Sequence, residues 1–444
     1  MTDLSRRAFL SIGAATGAAA LLGGCGDDAA DPGVPPLPGG GPAATATPAS
    51  RATWRVQGSP LVTATGSGAL DGKSVAVTDL FAVAGQQVGA GNPRWLAQAP
   101  VESRTAPAVA ALLAAGATVT GLAQTDDLGY GHSGANDLTG TPPNVAAPER
   151  LPGGSTSGAG SAAADGAVSL GLGPDTDGSV RIPAAYQGLY GCSATRGAVS
   201  TDGMVGLSTT LDTVGWLGAD LDVLAEAVAA SVPATPARPL TAAVTSRGLV
   251  AVADAPVQAA TNAALAAWRT ADLPRLADEN FDIGALPDWY EAVATVVAYE
   301  AWQRHGAFVA AASTSLSAEP RENFGQAGRT SEASYRRASD TLAGAAAAVH
   351  AFLGDRVLVL PTTASPAPPR SDGDLSGETY RNTMRSTGML TAVATVAGLP
   401  TVTVPLRTAE KNPVGLCLVG PAGRDLDLLA LASAVAEQLP LALR

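Results

Sequence analysis

Lysine is almost missing from this chain: among 27 basic residues in 444, only Lys73 and Lys411 are lysines. Acidic residues number 39, the formal charge is −12, and no basic stripe runs along any segment. Neutralising a phosphate backbone needs such a stripe, so nucleic acid is excluded as a partner. No Gly-Lys-Ser or Gly-Lys-Thr sequence occurs, which removes the phosphate loop. Cysteine is scarce as well. Cys192 and Cys417 sit in apolar, strand-like runs and are expected as buried free thiols, not as a bridge. No internal repeat of fixed period is present, and the apolar run near the N-terminus is shorter than the ~20 residues of a membrane span.

That short run has a different layout. Ser5-Arg6-Arg7-Ala8-Phe9-Leu10 precedes it, and Leu22-Gly23-Gly24-Cys25 follows. Paired arginines before Phe and Leu match a twin-arginine signal, and Leu three residues before a cysteine matches a lipoprotein cleavage box. Residues 1–25 therefore read as a signal peptide with Cys25 as the lipidation site. The protein is expected to be exported and lipid-anchored at the cell surface or in the periplasm. Residues 26–50 are Pro, Gly, Ala, Thr and Asp without hydrophobic periodicity, a composition that reads as a disordered tether.

Residues 51–444 hold enough apolar sequence for a large core, the chain being 46% hydrophobic. SVAVTDLFAV (74–83) predicts a strand, the stretch from Thr105 to Gly116 a helix, and ATVTGLA (117–123) a second strand. The rhythm returns in RVLVLPT, LPTVTVP and PVGLCLVG, followed by the helical period of DLDLLALASAVAEQL. Alternation of this kind predicts an α/β fold, an open sheet covered by helices. Residues 221–354 read as a mostly helical flank of the same domain and hold most of the aromatics.

The chemistry concentrates between Pro152 and Thr195. Gly153-Gly154-Ser155 and Asp177-Gly178-Ser179 are two Gly/Ser turns separated by an Ala-rich helix and a strand. Turns of this type let backbone N–H groups converge on a developing anion, and a serine among them is a candidate nucleophile. A flexible linker would not continue into Arg181-Ile182-Pro183-Ala184-Ala185-Tyr186. A calcium loop would need Gly at Val180 and Glu at Tyr186. On the residues alone, a hydrolase site and a structural turn both remain open.

This segment resembles the signature of the amidase family, in which GGSSSG leads to DTGGSIRIPA and a GLKPT-like strand. Ser155 and Ser179 stand 24 residues apart, as in that signature. AVTDLFAVAG, GNPRWL, AAGATVTGLAQTDDL, GTPPN and GAVSTDGMVGLSTTLDTVGW follow in family order. GNPRWL and GAVST are similar to the indole-3-acetamide hydrolase branch and to its non-catalytic chloroplast-import relatives. The resemblance implies the amidase-signature fold, a large twisted mixed sheet with helices on both faces. It implies Ser179 as acyl-forming nucleophile and Ser155, on a cis peptide bond, as proton shuttle. The N–H groups of Thr176, Asp177, Gly178 and Ser179 would form the oxyanion hole, and Asp175 and Arg181 would brace the loop. It implies a small-molecule amide substrate and neither metal nor cofactor.

The pattern breaks at the general base. The family writes a lysine in VKD where this chain has Val77-Thr78-Asp79. A threonine hydroxyl is a negligible base near neutral pH, and losing a general base costs roughly 10²- to 10⁴-fold in rate. Lys73 lies five residues upstream, ~16 Å along a strand, and Lys411 falls in a polar turn. His132, in GYGHSGAND where the family builds a pocket wall, is the surrogate candidate; His305 and His350 lie on helical segments. Asp177 stands where glycine is usual, Val145 where proline follows Asn144, and Ser193-Ala194 where a basic residue precedes proline. Two functions follow: a weak or impaired amide hydrolase, or a catalytically dead relative kept as a lipid-anchored binding or scaffolding protein.

Overall fold

The computed structural model describes residues 48–312, 315–370, 375 and 377–440. The chain divides into two units, Met1–Thr45 and Ala46–Arg444, and every described residue belongs to the second. The signal peptide, Cys25 and nearly all of the tether lie outside the described residues. Pro48–Ser50, which composition assigns to the tether, open a short helix, Pro48–Thr53.

Eleven strands form one sheet among the described residues. They are β1 (Trp54–Val62), β2 (Ser74–Thr78), β3 (Thr118–Ala123), β4 (Leu170–Pro174), β5 (Tyr190–Ser193), β6 (Val214–Gly218), β7 (Ala242–Thr245), β8 (Arg275–Asp278), β9 (Val357–Pro361), β10 (Thr401–Arg407) and β11 (Pro413–Val419). Their order in space is β1-β3-β2-β4-β6-β5-β10-β11-β9-β7-β8. β2 runs parallel to β3 and β4, and β7 parallel to β8 and β9, while antiparallel pairs join the rest. The helix-covered α/β sheet expected from the alternation forms, and it is mixed, as the family resemblance implies.

Side-chain alternation distributes the core over both faces. On β2, Val75 and Val77 join a large cluster with Val109 and Leu112 of helix Pro107–Ala114 and with Leu224 of helix Leu221–Ser231. Ala76, between them, packs on the opposite face with Ala159, Ala162 and Ala163 of helix Ser157–Ala164. The helix on that second face, SGAGSAAA, presents only small residues, while Trp54, Val180 and Leu217 belong to the same cluster. Cys192 and Cys417 are free and buried.

Two expectations need correction. The predicted strand 74–83 stops at Thr78, because the N–H groups of Leu80 and Phe81 both turn back to the Thr78 carbonyl, at 2.6 and 3.2 Å. Within the helical flank, helices such as Ala255–Thr270, Leu286–Ala312 and Glu332–Leu353 are present, but β7 and β8 also lie there and complete the far edge of the sheet.

Candidate active site

β2 ends at Thr78 and its parallel neighbour β4 ends at Pro174, so the segments leaving both strands meet at one end of the sheet. Open α/β sheets place their sites at this carboxyl end. The two Gly/Ser turns come together there. The Gly154–Ser155 peptide bond is cis. The N–H of Thr156 donates to the carbonyl of Ser179 at 3.1 Å, and the Thr125 hydroxyl donates to the carbonyl of Ser155 at 2.8 Å. Ser155 and Ser179 are both buried.

Asp175 and Arg181 hold the second turn. Arg181 Nε and Nη2 donate to the two Asp175 oxygens, each at 2.9 Å, and its remaining donors reach Thr391 O and Thr395 Oγ1. Asp175 Oδ1 also accepts the Gly178 N–H at 2.7 Å. That bond corrects one expectation: the Gly178 amide is spent inside the turn and is not free to face an oxyanion. The N–H groups of Thr176 and Ser179 have no acceptor among the described residues. Gly178 has φ +137°, so glycine is required there. Asp177 lies outside the positive-φ region, and the backbone accommodates a side chain at 177.

The Asp177 carboxylate meets His132, Oδ1 to Nε2 at 2.8 Å, with the two side chains 20% and 25% exposed. Burial works to lower the His132 pKa, but the carboxylates of Asp177, Glu319 and Asp126 outweigh it and raise it to about 9. Burial opposes ionisation of Asp177 too, and His132 and Arg181 overcome it to hold the carboxyl below its usual range. The direction of the shift and the 2.8 Å contact with Asp177 both favour the protonated ring. Its Nε2 is turned to Asp177, and no hydrogen bond joins the ring to Ser155 or Ser179 among the described residues, so the structure does not bring the expected surrogate base onto either serine.

Neither lysine substitutes. Lys73 precedes β2, at the end of the strand opposite Thr78, and Lys411 is exposed in the β10–β11 turn. The hydroxyl oxygens of Thr78 and Ser155 are buried and have no hydrogen-bond partner among the described residues. His305 is buried on its helix with Nε2 at 2.9 Å from Gly206 O, and His350 is exposed.

Sequence reasoning missed Glu319 and Asp126. Glu319, on helix Ala318–Ala327, accepts the N–H groups of His132 at 3.1 Å and Ser133 at 3.2 Å, and the Tyr380 hydroxyl at 3.1 Å. The carbonyls of His132 and Ser133 in turn accept the N–H groups of Gly154 and Gly153. Glu319 thus holds the loop that cradles the cis turn. Asp126 is buried beneath the same loop and accepts the Gly134 N–H. Burial raises its carboxyl well above the ordinary range, and Glu319 raises it further. The spacing carries no signal for Glu319, which comes from 187 residues beyond His132. A cavity of about 310 Å³ opens beside these groups, lined among others by Tyr130, His132, Asp177, Tyr290, Glu319 and Tyr380. Among the described residues no group of three or more His, Cys, Asp or Glu side chains is arranged to hold a metal.

Comparison with known proteins agrees with this geometry. The family model described as Amidase matches residues 52–280. Amidase 1 of Arabidopsis thaliana is 30% identical over 409 residues, covering 85% of this chain and 96% of the relative. A Comamonas testosteroni protein, 2-amino-5-chloromuconic acid deaminase, is 31% identical over 82% of this chain and 81% of its own length. Translocon at the outer membrane of chloroplasts 64, from Pisum sativum, is 31% identical over 81% of this chain, which spans 65% of that protein. A solved amidase structure superposes with a TM-score of 0.74 and 27% identity, covering 84% of this chain and 86% of the other. With this family model, these relatives and its sequence signature, the chain belongs to the amidase family.

Proposed function

We propose that the protein is a hydrolase of small amides that works through Ser179 and Ser155 and is impaired by the loss of its general base. The observation that carries this reading is the tie between the two turns, Thr156 N–H to Ser179 O, beside a braced Asp175–Arg181 loop. In the reaction, Ser179 Oγ attacks the amide carbon and its proton passes by way of Ser155 to the departing nitrogen. The C–N bond of the tetrahedral adduct then breaks, ammonia leaves, an acyl-serine remains, and water releases the carboxylic acid and restores the serine. The N–H groups of Thr176 and Ser179 are the donors available to the oxyanion; Asp177 lies beside them. Thr78 occupies the position of the missing lysine, and the substrate enters through the cavity at Tyr130, Tyr290 and Tyr380. The indole-3-acetamide hydrolase branch is the proposed subgroup.

The unpartnered hydroxyls of Thr78 and Ser155 favour a second reading, a dead amidase retained as a binding or scaffolding protein. The similarity to a protein named as a translocon supports it in the same direction. In both readings the chain is exported by the twin-arginine route and anchored through Cys25.

Labelling with a serine-reactive fluorophosphonate separates them. The hydrolase reading expects weak labelling of the wild-type domain, none of Ser179→Ala, and strong labelling of Thr78→Lys. A wild type that stays unlabelled while Thr78→Lys reacts establishes the binding-protein reading. Labelling that persists in Ser179→Ala overturns the nucleophile assignment.

A further inference from the structure

We propose that His132 is a positioning residue for the Ser179 turn: its imidazolium compensates the Asp177 carboxylate, and the two form one charge-neutral unit that neither residue supplies alone. The proposal rests on the reading of Ser179 as nucleophile and goes beyond it, because the compensating pair joins two positions 45 residues apart.

A carboxylate two residues before a nucleophilic serine opposes the negative charge that builds in the transition state, and a water-poor site magnifies the penalty. The structure answers that problem locally. His132 Nε2 stands 2.8 Å from Asp177 Oδ1. The ring is held there by its own backbone, whose N–H is bonded to Glu319 and whose carbonyl accepts the Gly154 N–H. One loop residue therefore touches both serine turns, the first through its backbone and the second through its side chain. Glu319 favours the protonated form of His132 and Arg181 the ionised form of Asp177; Asp126 also bears on His132, but its own carboxyl is raised well above the ordinary range, and Glu291, Glu322, Arg381 and Arg385 line the same cavity. Tyr130 and Tyr290 also face Asp177, and burial raises both phenols further from ionisation.

The sign of the pH dependence follows. With its pKa raised to about 9, His132 keeps its proton through neutrality, and the compensation is lost as pH rises through that value. Above it, Asp177 loses its bonded counter-charge and keeps only the more distant Arg181.

Two measurements test this together. The chain has three histidines, so proton NMR with a His132→Gln spectrum for assignment follows the His132 ring alone. The expected midpoint is near 9 in wild type and falls toward about 6.5 in Asp177→Asn. A wild-type midpoint at the ordinary value overturns the pairing. Fluorophosphonate labelling is then run against pH in wild-type and Thr78→Lys backgrounds. His132→Gln is expected to slow labelling by about tenfold or more. The double variant His132→Gln/Asp177→Gly is expected to recover it and to lose the decline above pH 9 that the parent shows. A double variant as slow as His132→Gln, or profiles identical to the parent's, overturns the role of the pair. Absence of labelling in both backgrounds overturns the assignment of Ser179, and with it this role, while the NMR titration still reads the pairing.

Discussion

The N–H of Thr156 donates to the carbonyl of Ser179 at 3.1 Å, so the residue after the cis serine is bonded to the second serine itself. Two turns distant in sequence thereby become one object, and a disturbance of either is felt by both. Thr156 also offers its hydroxyl to Pro174 O at 3.5 Å, the last residue of β4, which ties the same object to the sheet.

Arg181→Ala should show how much of that object depends on its brace. The guanidinium is buried and spends its donors on Asp175, Thr391 and Thr395. Removing it leaves Asp175 as a buried, uncompensated carboxylate, which costs about 3–5 kcal/mol. Urea denaturation is expected to report a loss of that size, and fluorophosphonate labelling to vanish. Arg181→Met with Asp175→Ala, which removes both charges, is expected to regain much of the stability without regaining the labelling. Recovery of both would show that the pair is structural only.

Gly173→Ala tests the packing under the cis turn. A Cβ at 173 would lie 2.1 Å from Thr156 Oγ1 and 2.5 Å from its Cγ2, so Thr156 must move. Overpacking of this kind costs about 1–3 kcal/mol. The displacement falls on the residue bonded to Ser179, so labelling is expected to fall further than the stability loss alone explains. Thermal unfolding and labelling rate on the same sample decide it.

The Gly/Ser turns were legible in the sequence because small residues at short spacing are a local signal, whereas Thr78 and the pair of Asp175 and Arg181 were legible only through the family resemblance. The position of His132 beside the site was legible through GYGHSGAND. Its protonation was not, since that depends on Asp177, Glu319 and Asp126, which converge only in the folded chain. Glu319 gave no signal at all: its role is to accept two backbone N–H groups, and a backbone partner leaves no mark in sequence. β7 and β8 were missed for a related reason. Each is a four-residue strand set among helices, where the apolar pattern is too short to separate the two periods.

Asp212 contributes to the pH dependence of stability, beside Asp79, whose carboxyl burial likewise raises to about 6. Burial raises the Asp212 carboxyl to about 6, against the hydrogen bond it accepts from Thr176. The folded protein therefore holds a proton that the unfolded chain, with a pKa of about 3.9, releases earlier. The resulting stabilisation is present below the unfolded value and is lost as pH rises through about 6. Asp212→Asn keeps an acceptor for Thr176 and cannot titrate. Between about pH 4 and 7 its urea stability is expected to gain on wild type by roughly 2–3 kcal/mol. Parallel curves for the two proteins would place the proton elsewhere.

Export and anchoring are tested at the other end of the chain. Expressed in a host with twin-arginine export, the wild-type protein is expected in the membrane fraction with its N-terminus beginning at a lipid-modified Cys25. Cys25→Ala removes the acceptor of the lipid, so the protein is expected to be found unlipidated, either retained with its uncleaved signal or released. Arg6→Lys with Arg7→Lys keeps the positive charge and removes the paired arginines, which separates recognition of the motif from simple charge. Retention of that double variant inside the cell, with a domain that still folds, is the expected result. Export at the wild-type level would mean that the apolar run acts as an ordinary signal and that the domain crosses unfolded, which would require Asp175 and Arg181 to find each other only after translocation.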